Sequence, residues 1–479
     1  MKLRDLLLIL CVLAPLQLSA ATRDKPNLIV VLADDLGYAD LGCYGQKLIK
    51  TPRLDAMASS GLRFTQFYAG SPIGAPSRCV LLTGRHTGRA VIRGNSDEPV
   101  ALKAGQTTVA SLLKSAGYAT ACVGKWAVGS PRDLTNPNDV GFDYFYGYIN
   151  RWHAQNCFPE FLIRNGKVEK LKNTAGDEWK VMQDPSHSQA GRGVAVKREE
   201  YAPELLASDA LRFIRENKEK PFFLSFVLNS PHANPDAGPR GIEVPDLGEY
   251  AGMSWPEVEK AYAAAVRNLD RDTGRILDLL DELGIAKDTL VLFTSDNGPH
   301  KDAGHDPEFF DSNGKMRGGR GDILEGGIRV PAIAAWPGTI APGTINAHQW
   351  YVGDLFATAA ELAGLPRPAD IDSDSLVPTF KGNPPAKEWD RKSPLYWECY
   401  EGQSGQAVRF GKWKAIRSPM ITGTVELYDQ SNDVQEKRDY TPRRVDLMKH
   451  ATNLLNKYHQ PDPNWKLPTE NAKGSSTQP

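Results

Sequence analysis

Four short apolar runs, each bounded by turn residues, constrain the fold of this sequence more than any other feature. They cover residues 27–33, 118–123, 222–228 and 289–294. Runs of this length and composition are typical of buried strands in a parallel sheet. Helical patterns lie between them, at residues 107–116, 204–215 and 256–283. This alternation predicts an α/β fold with a mostly parallel central sheet flanked by helices.

Each apolar run ends directly in polar side chains. Asp34 and Asp35 follow the first run, and Gly124-Lys125 follows the second. His232 closes the polar segment after the third run, and Asp296-Asn297 lies just after the fourth. Ligand sites of open α/β sheets form beyond the carboxyl ends of the strands. We therefore expect these side chains to meet at one edge of the sheet.

The oxygen-bearing members of this set predict a metal site. Asp34, Asp35, Asp296 and the amide oxygen of Asn297 supply only hard ligands, and no Cys or His accompanies them at short spacing. This pattern favours Ca²⁺, with Mg²⁺ as the second candidate, over zinc.

The sequence also supplies cationic and hydrogen-bond-donating side chains to accompany these acids. Together with a metal ion, such side chains suit the binding of a tetrahedral oxyanion such as sulfate or phosphate. A metal polarises the oxygens of such a group while cations neutralise the developing charge. The candidates are Arg78, Lys125, His232 and Arg320.

The pattern changes after about residue 365. Residues 395–400, 406–416 and 424–429 are predicted antiparallel strands, separated by turns that contain glycine. We expect a catalytic α/β domain at 22–365, a smaller C-terminal antiparallel-sheet subdomain at 366–460, and a polar tail at 461–479.

The first 21 residues predict a signal peptide. Lys2 and Arg4 precede an apolar run at 6–18, and the small residues at 19–21 supply a cleavage site. The run is too short to span a bilayer, and no later run is long enough. We expect a protein exported to the periplasm or secreted. The 57 Lys and Arg balance 58 Asp and Glu, so there is no global attraction to nucleic acid. The pattern leaves the oligomeric state open.

Five cysteines remain after Cys11 of the signal peptide. Their odd number and the lack of CxxC spacing argue against a disulfide framework or a zinc site. Whether one pair is oxidised stays open.

The ordered motifs of this chain resemble those of type I sulfatases, in the alkaline-phosphatase-like superfamily. They span about residues 26–365, and residues 406–433 resemble the family's C-terminal segment. The matching segments are 32–38, 75–78, 82–85, 124–126, 295–298 and 325–331.

The resemblance implies a mechanism and a set of roles. A Cys or Ser of the signature is oxidised to formylglycine, whose hydrated aldehyde attacks sulfur. Arg78 and Lys125 hold that aldehyde, and His232 contacts the sulfate or the leaving group. Arg320 takes a position that is usually lysine. The four metal ligands named above bind Ca²⁺. The expected partner is a sulfated small molecule or glycan.

Three positions depart from the family pattern. Gly74 stands where Cys or Ser is expected, and Ala127 stands where many members have histidine. Arg320 keeps the charge of the usual lysine but not its shape. Glycine has no side chain to oxidise, so three explanations stay open. In the first, the glycine written at position 74 stands for a formylglycine or for a substitution. In the second, the protein is a pseudoenzyme that binds sulfated ligands. In the third, a metal-bound water hydrolyses the ester.

Two rival functions also stay open. One is a phosphatase or phosphodiesterase of the same superfamily, for which His300 and His305 are the candidate zinc ligands. The other is a non-catalytic module that binds sulfated glycans. His153, together with His300 and His305, is predicted to lie in loops at the rim of the pocket and to contact substrate.

Overall fold

A computed structural model describes residues 23–95, 100–130, 132–387, 391 and 393–467 of the chain. The predicted signal peptide at 1–21 and residues 468–479 of the predicted tail lie outside the described residues. Within the described part, the structure contains the following strands: β1 (Asn27–Asp34), β2 (Leu62–Tyr68), β3 (Ala119–Lys125), β4 (Tyr144–Tyr148), β5 (Phe161–Arg164), β6 (Lys167–Lys170), β7 (Thr174–Ala175), β8 (Ala195–Lys197), β9 (Phe222–Pro231), β10 (Thr289–Ser295), β11 (Arg329–Ala335), β12 (Thr344–Asn346), β13 (Trp350–Tyr351), β14 (Leu395–Cys399), β15 (Gly405–Phe410), β16 (Trp413–Arg417) and β17 (Val425–Asp429).

The α-helices of the same part of the chain are α1 (Pro52–Ser60), α2 (Gly74–Thr83), α3 (Val109–Ser115), α4 (Asn136–Asp139), α5 (Ala202–Asn217), α6 (Glu257–Glu282), α7 (Glu325–Ile328), α8 (Asp354–Leu362), α9 (Val377–Phe380) and α10 (Val445–Tyr458). Short 3₁₀ segments connect several of these elements. No helix of the described residues has both the length and the apolar character needed to cross a membrane.

The central sheet has the strand order β12-β2-β11-β10-β1-β9-β3-β4-β5-β6, and β13 pairs with β2. Its middle strands, from β10 through β1, β9 and β3 to β4, are all parallel. Antiparallel pairs extend the sheet on both sides of this block. The predicted fold class is therefore confirmed: a mostly parallel sheet flanked by helices.

Strand β1 lies at the centre of this sheet and is buried along its whole length. Leu28, Val30 and Leu32 join the core on one face of the sheet. Ile29 and Val31 join the core on the other face. Alternate residues of a strand point to opposite faces, so helices on both sides must cover an uninterrupted apolar strand.

The four predicted strands are present, and each extends into the polar residues that follow its apolar run. β1 includes Asp34, β3 includes Lys125, and β9 continues to Pro231. These side chains lie on regular strand ends, which fixes their positions better than a flexible loop would.

One element differs from the sequence prediction. The span 406–416 was expected as one strand, but it is the hairpin β15–β16, turned at Gly411 and Lys412. Helix α2, which the apolar pattern did not indicate, begins at Gly74. Pro76 lies in its first turn, where the missing N–H costs nothing.

Strands β14–β17 form the separate antiparallel sheet of four strands. Leu455 of α10 packs against this sheet. The start of the predicted tail also packs on the body, because Trp465 is buried and its indole N–H donates to the carbonyl of Val91. Within the described residues the five cysteines are free thiols.

Candidate active site

The ends of β1 and β10 bring three acids together. These strands are parallel neighbours with Ala33 opposite Ser295, so the residues that follow emerge side by side. Carboxylate oxygens of Asp34, Asp35 and Asp296 lie within 4.8 Å of one another. Asp296 N–H donates to the Ala33 carbonyl over 3.0 Å, and Asp35 N–H donates to Asp296 Oδ1 over 3.1 Å.

Adjacent residues of a strand point to opposite faces, yet Asp34 and Asp35 both reach the cluster. The φ of Asp35 is 66°, in the left-handed region that aspartate tolerates better than most residues. This backbone turn at the end of β1 redirects the second carboxylate toward the first. The predicted pair thus contributes both of its side chains to one site.

Two buried oxygens of the site have no hydrogen-bond donor among the described residues. They are Asp35 Oδ2 and Asn297 Oδ1. The other end of the amide is fixed, because Asn297 Nδ2 donates to Asp35 Oδ1 over 2.6 Å. Buried acceptors without a donor are costly, and a hard cation satisfies them. The residues present therefore fit a Ca²⁺ ion held by the three carboxylates and this amide.

The predicted cations surround these acids. Lys125 Nζ lies 2.5 Å from Asp34 Oδ2, and the Arg78 guanidinium pairs with Asp296. Arg320 Nε lies 3.5 Å from Asp35 Oδ1. The structure brings these residues together as the sequence predicted, at the edge of the sheet where the parallel strands end.

Lys125 reaches Asp34 across strand β9, which lies between β3 and β1. The approach depends on Gly124, whose φ is 116°. A Cβ at that position would be 1.8 Å from the Val227 carbonyl oxygen of β9. Only glycine lets the end of β3 pack this closely, which explains the Gly-Lys sequence after the apolar run.

His232 is buried beside the acids, with Nε2 3.6 Å from Asp35 Oδ2. Its Nδ1 lies 2.6 Å from the Ala233 carbonyl, so Nδ1 carries the hydrogen and donates it. Burial lowers the pKa of His232, although Asp35 and Asp34 oppose that shift. The neutral imidazole therefore presents Nε2 to the site.

The pKa values of Asp34 and Asp296 shift in opposite directions. Burial alone raises the pKa of each carboxyl, but the charges of Lys125 and Arg78 outweigh it at Asp34 and hold that pKa well below its usual range. At Asp296, burial and the neighbouring Asp34 dominate and raise the pKa. A divalent cation beside the three carboxylates would favour the ionised form of Asp296 as well.

Position 74 faces the same cluster. Gly74 and Arg78 are one helical turn apart on α2 and share a face. A Cβ on residue 74 would lie 2.5 Å from Asp296 Oδ2. The position that the resemblance assigns to formylglycine thus points at Asp296, one of the candidate metal ligands.

The three histidines predicted to contact substrate occupy different environments. His300 Nε2 donates to the Pro231 carbonyl over 3.1 Å and its Nδ1 accepts from Asp302 N–H over 3.0 Å. His300 also lines a cleft beside the site. Its contact with substrate stays a prediction.

His153 and His305 are enclosed in the core, which corrects the expectation that they lie at a pocket rim. His153 is fully buried and donates from Nε2 to the Phe161 carbonyl over 2.7 Å. His305 pairs with Glu259 at 2.7 Å and stacks on Tyr262, with ring centroids 3.8 Å apart. Both rings are held by protein groups, so we assign them a structural role.

Asp302 is a site residue that the sequence analysis missed. Its carboxylate accepts from Arg320 over 2.8 Å, and its backbone N–H fixes the tautomer of His300. A second group of possible metal ligands also includes it, namely Asp35, His300 and Asp302. The only signal in the sequence was its position two residues after His300.

Comparison with known proteins places these features in a family. The model of the Sulfatase family matches residues 26–365. A second model, described as N-sulphoglucosamine sulphohydrolase, C-terminal, matches residues 321–460.

Individual relatives agree with the family models. The chain is 36% identical over 430 residues to N-acetylgalactosamine-6-sulfatase of Rattus norvegicus, covering 85% of this chain and 74% of the relative. It is 32% identical over 456 residues to steryl-sulfatase of Mus musculus, covering 82% and 70%. Among solved structures, Ps i-CgsB in complex with k-i-k-neocarrahexaose matches with a TM-score of 0.76 and 28% identity, covering 94% of this chain and 96% of the other.

Proposed function

The chain belongs to the sulfatase family, and on that premise we propose that its site binds one Ca²⁺ ion and the sulfate group of a sulfated small molecule or carbohydrate for hydrolysis of the sulfate ester. One observation carries the proposal. Three buried carboxylates have oxygens within 4.8 Å of one another and face buried cationic side chains. Such a pairing of a metal site with fixed cations suits a tetrahedral oxyanion.

The side chains of the site have different proposed roles toward the sulfate group. Arg78 and Lys125 are each about 5% exposed and supply fixed positive charge inside the site. Arg320, at 28% exposure, supplies it at the opening. A bound Ca²⁺ polarises the sulfate oxygens as a Lewis acid. His232 Nε2 lies at the acids, where it can exchange a proton with the leaving-group oxygen.

Glycine at position 74 has different consequences for ligand binding and for turnover of the sulfate ester. Glycine offers no side chain for conversion to formylglycine, so the chain as written lacks the nucleophile of its family. We propose that the chain retains cation and sulfate binding, and that rapid hydrolysis requires formylglycine at position 74. Slow turnover by the Gly74 protein would point to a water nucleophile instead.

The phosphatase alternative is less well supported by the geometry. It needs histidine ligands for zinc, but both ring nitrogens of His300 are hydrogen-bonded to backbone groups. His305 Nδ1 is paired with Glu259. The all-oxygen site therefore remains the better explanation of the acids.

The experiment that tests this proposal is calorimetric titration of the full chain with 4-nitrophenyl sulfate, with and without Ca²⁺. We expect binding only in the presence of Ca²⁺, and loss of binding in Asp296→Asn. Asp281→Asn, an exposed acid on α6, is the matched control and should bind as the wild type does. Equal binding after chelation of Ca²⁺, or by Asp296→Asn, would overturn the proposal.

Export is also a proposal. The basic residues and the short apolar run at the N-terminus support a signal peptide over residues 1–21. N-terminal sequencing of the mature protein would test it, with cleavage after residue 21 expected.

A further inference from the structure

A cleft of about 800 Å³ opens beside the proposed sulfate site. Residues of the segment 299–322, which follows strand β10, line it together with Glu401. The volume lies in the range of small-molecule sites in proteins. It is large enough for the part of a substrate that remains outside the sulfate group.

Two residues connect the cleft to the metal site. Arg320 lines the cleft and lies 3.5 Å from Asp35 and 2.8 Å from Asp302. His300 also lines it, and its ring centroid is 5.8 Å from that of His232. A ligand with its sulfate at the metal site therefore has a direct path into this cleft.

The charges that line the cleft are mostly negative. Among its described lining residues, five are acidic and three are basic: Asp302, Glu308, Asp311, Asp322 and Glu401 against Lys301, Arg317 and Arg320. Asp302 and Arg320 pair with each other, so the rest of the lining carries four acids against Lys301 and Arg317. This excess of carboxylates disfavours additional negative charge on a ligand.

The cleft also lacks an aromatic platform. None of the described residues that line it is Phe, Tyr or Trp. A flat aryl or steroid group gains most from stacking and apolar contact, which this lining does not offer. Exposed carboxylates such as Glu308 and Asp311 are instead strong acceptors for hydroxyl groups.

We propose that this cleft binds the uncharged, hydroxyl-bearing ring of a singly sulfated carbohydrate. It selects that ligand over aryl sulfates, which find no stacking partner, and over polysulfated glycans, which the carboxylates repel. The inference rests on the proposed function, because the sulfate group must occupy the metal site for the ring to enter the cleft.

The test is calorimetric titration of the Ca²⁺-loaded full chain at low salt with three probes. They are galactose 6-sulfate, 4-nitrophenyl sulfate and a heparin hexasaccharide. We expect galactose 6-sulfate to bind most tightly. In the double variant Glu308→Gln/Asp311→Asn, affinity for the heparin probe should rise about tenfold, because each like charge removed at close range is worth a few-fold. Affinity for galactose 6-sulfate should fall.

Asp281→Asn is again the control, since it removes an exposed acid outside the cleft lining, and it should leave the order of the three affinities unchanged. The inference is overturned if 4-nitrophenyl sulfate or the heparin probe binds the wild type more tightly than the sugar. It is equally overturned if the double variant keeps the wild-type ratios. Failure of all three probes and of inorganic sulfate to bind would instead contradict the proposed function itself.

Discussion

Gly74 and Asp296 are in direct apposition: a Cβ on residue 74 would lie 2.5 Å from Oδ2 of Asp296. The same Cβ would lie 2.7 Å from a guanidinium nitrogen of Arg78, which pairs with Asp296. A side chain at position 74 must therefore share the space beside Asp296 and move the Arg78–Asp296 pair. Residue 74 therefore belongs to the same site as the acid cluster.

Restoring a nucleophile at position 74 should restore turnover. We expect Gly74→Cys, produced together with an enzyme that generates formylglycine, to hydrolyse 4-nitrophenyl sulfate faster than the Gly74 protein by a factor on the order of 10⁴ or more. Peptide mass across residues 71–85 confirms the conversion. Gly74→Ala fills the same space without a nucleophile and should gain nothing. Equal rates for the Gly74 and converted proteins would contradict this account.

Arg320 should contribute to sulfate affinity through its charge. Arg320→Met is expected to weaken binding of 4-nitrophenyl sulfate about tenfold to a hundredfold, since hydrogen bonds between charged groups contribute about 1.5–3 kcal/mol. Arg320→Lys, which keeps the charge, should retain most of the affinity. Lys287→Met removes an exposed cation that does not line the cleft and is the control. Similar affinities for Arg320→Met and Lys287→Met in titration calorimetry would refute this role.

Buried His153 should make stability dependent on pH. Burial lowers its pKa to about 4, whereas an unfolded histidine titrates near 6.5. Between these values the unfolded chain binds one proton more, so this contribution is complete above about pH 6.5 and is lost as the pH falls toward 4. We expect His153→Gln to lose about 2 kcal/mol less stability than the wild type between pH 7 and pH 4.5.

Urea unfolding at the two pH values measures this difference. His450→Gln changes an exposed histidine of α10 and should follow the wild-type pH dependence. If His153→Gln also follows it, His153 is not the neutral, enclosed group that the structure shows.

Lys414 should hold the C-terminal sheet to the central domain. Its Nζ lies 3.1 Å from Glu325 of α7 and 2.7 Å from Glu436, and all three side chains are fully buried. Lys414→Met removes the cation that lies 2.7 Å from buried Glu436, while Glu325 keeps its pairs with Arg329 and Arg409. We expect this to cost about 3–5 kcal/mol of unfolding free energy. Lys412→Met breaks a half-exposed pair with Asp429 and should cost about 1 kcal/mol or less. Similar losses in chemical denaturation would exclude this function of Lys414.

The strands that carry the site were predictable because each is a continuous apolar run with polar site residues directly at its end. Buried parallel strands need continuous apolar runs, and ligand groups come where those runs end, as at Asp34 and Asp296. Strands β2 and β11 were not predicted. β11 pairs antiparallel to both of its neighbours and has a proline at its third residue, so it lacks the simple pattern of the central strands.

Side-chain surroundings were harder to predict than the elements. His153 and His305 lie in polar loop sequences, yet each ring is buried with one satisfied hydrogen bond. Asp302 resembles any other loop acid until the chain path brings it to Arg320. Long-range contacts of this kind, between residues on different loops, leave no periodic signal in a single sequence.

We propose that one hard cation is held by Asp34, Asp35, Asp296 and Asn297 in front of the cationic side chains. A crystal structure of the protein grown with Ca²⁺ would locate this ion. We expect a single anomalous peak about 2.3–2.6 Å from oxygens of all four residues. A peak at Asp35, His300 and Asp302 instead, or no ordered Ca²⁺ between the four ligands, would contradict it.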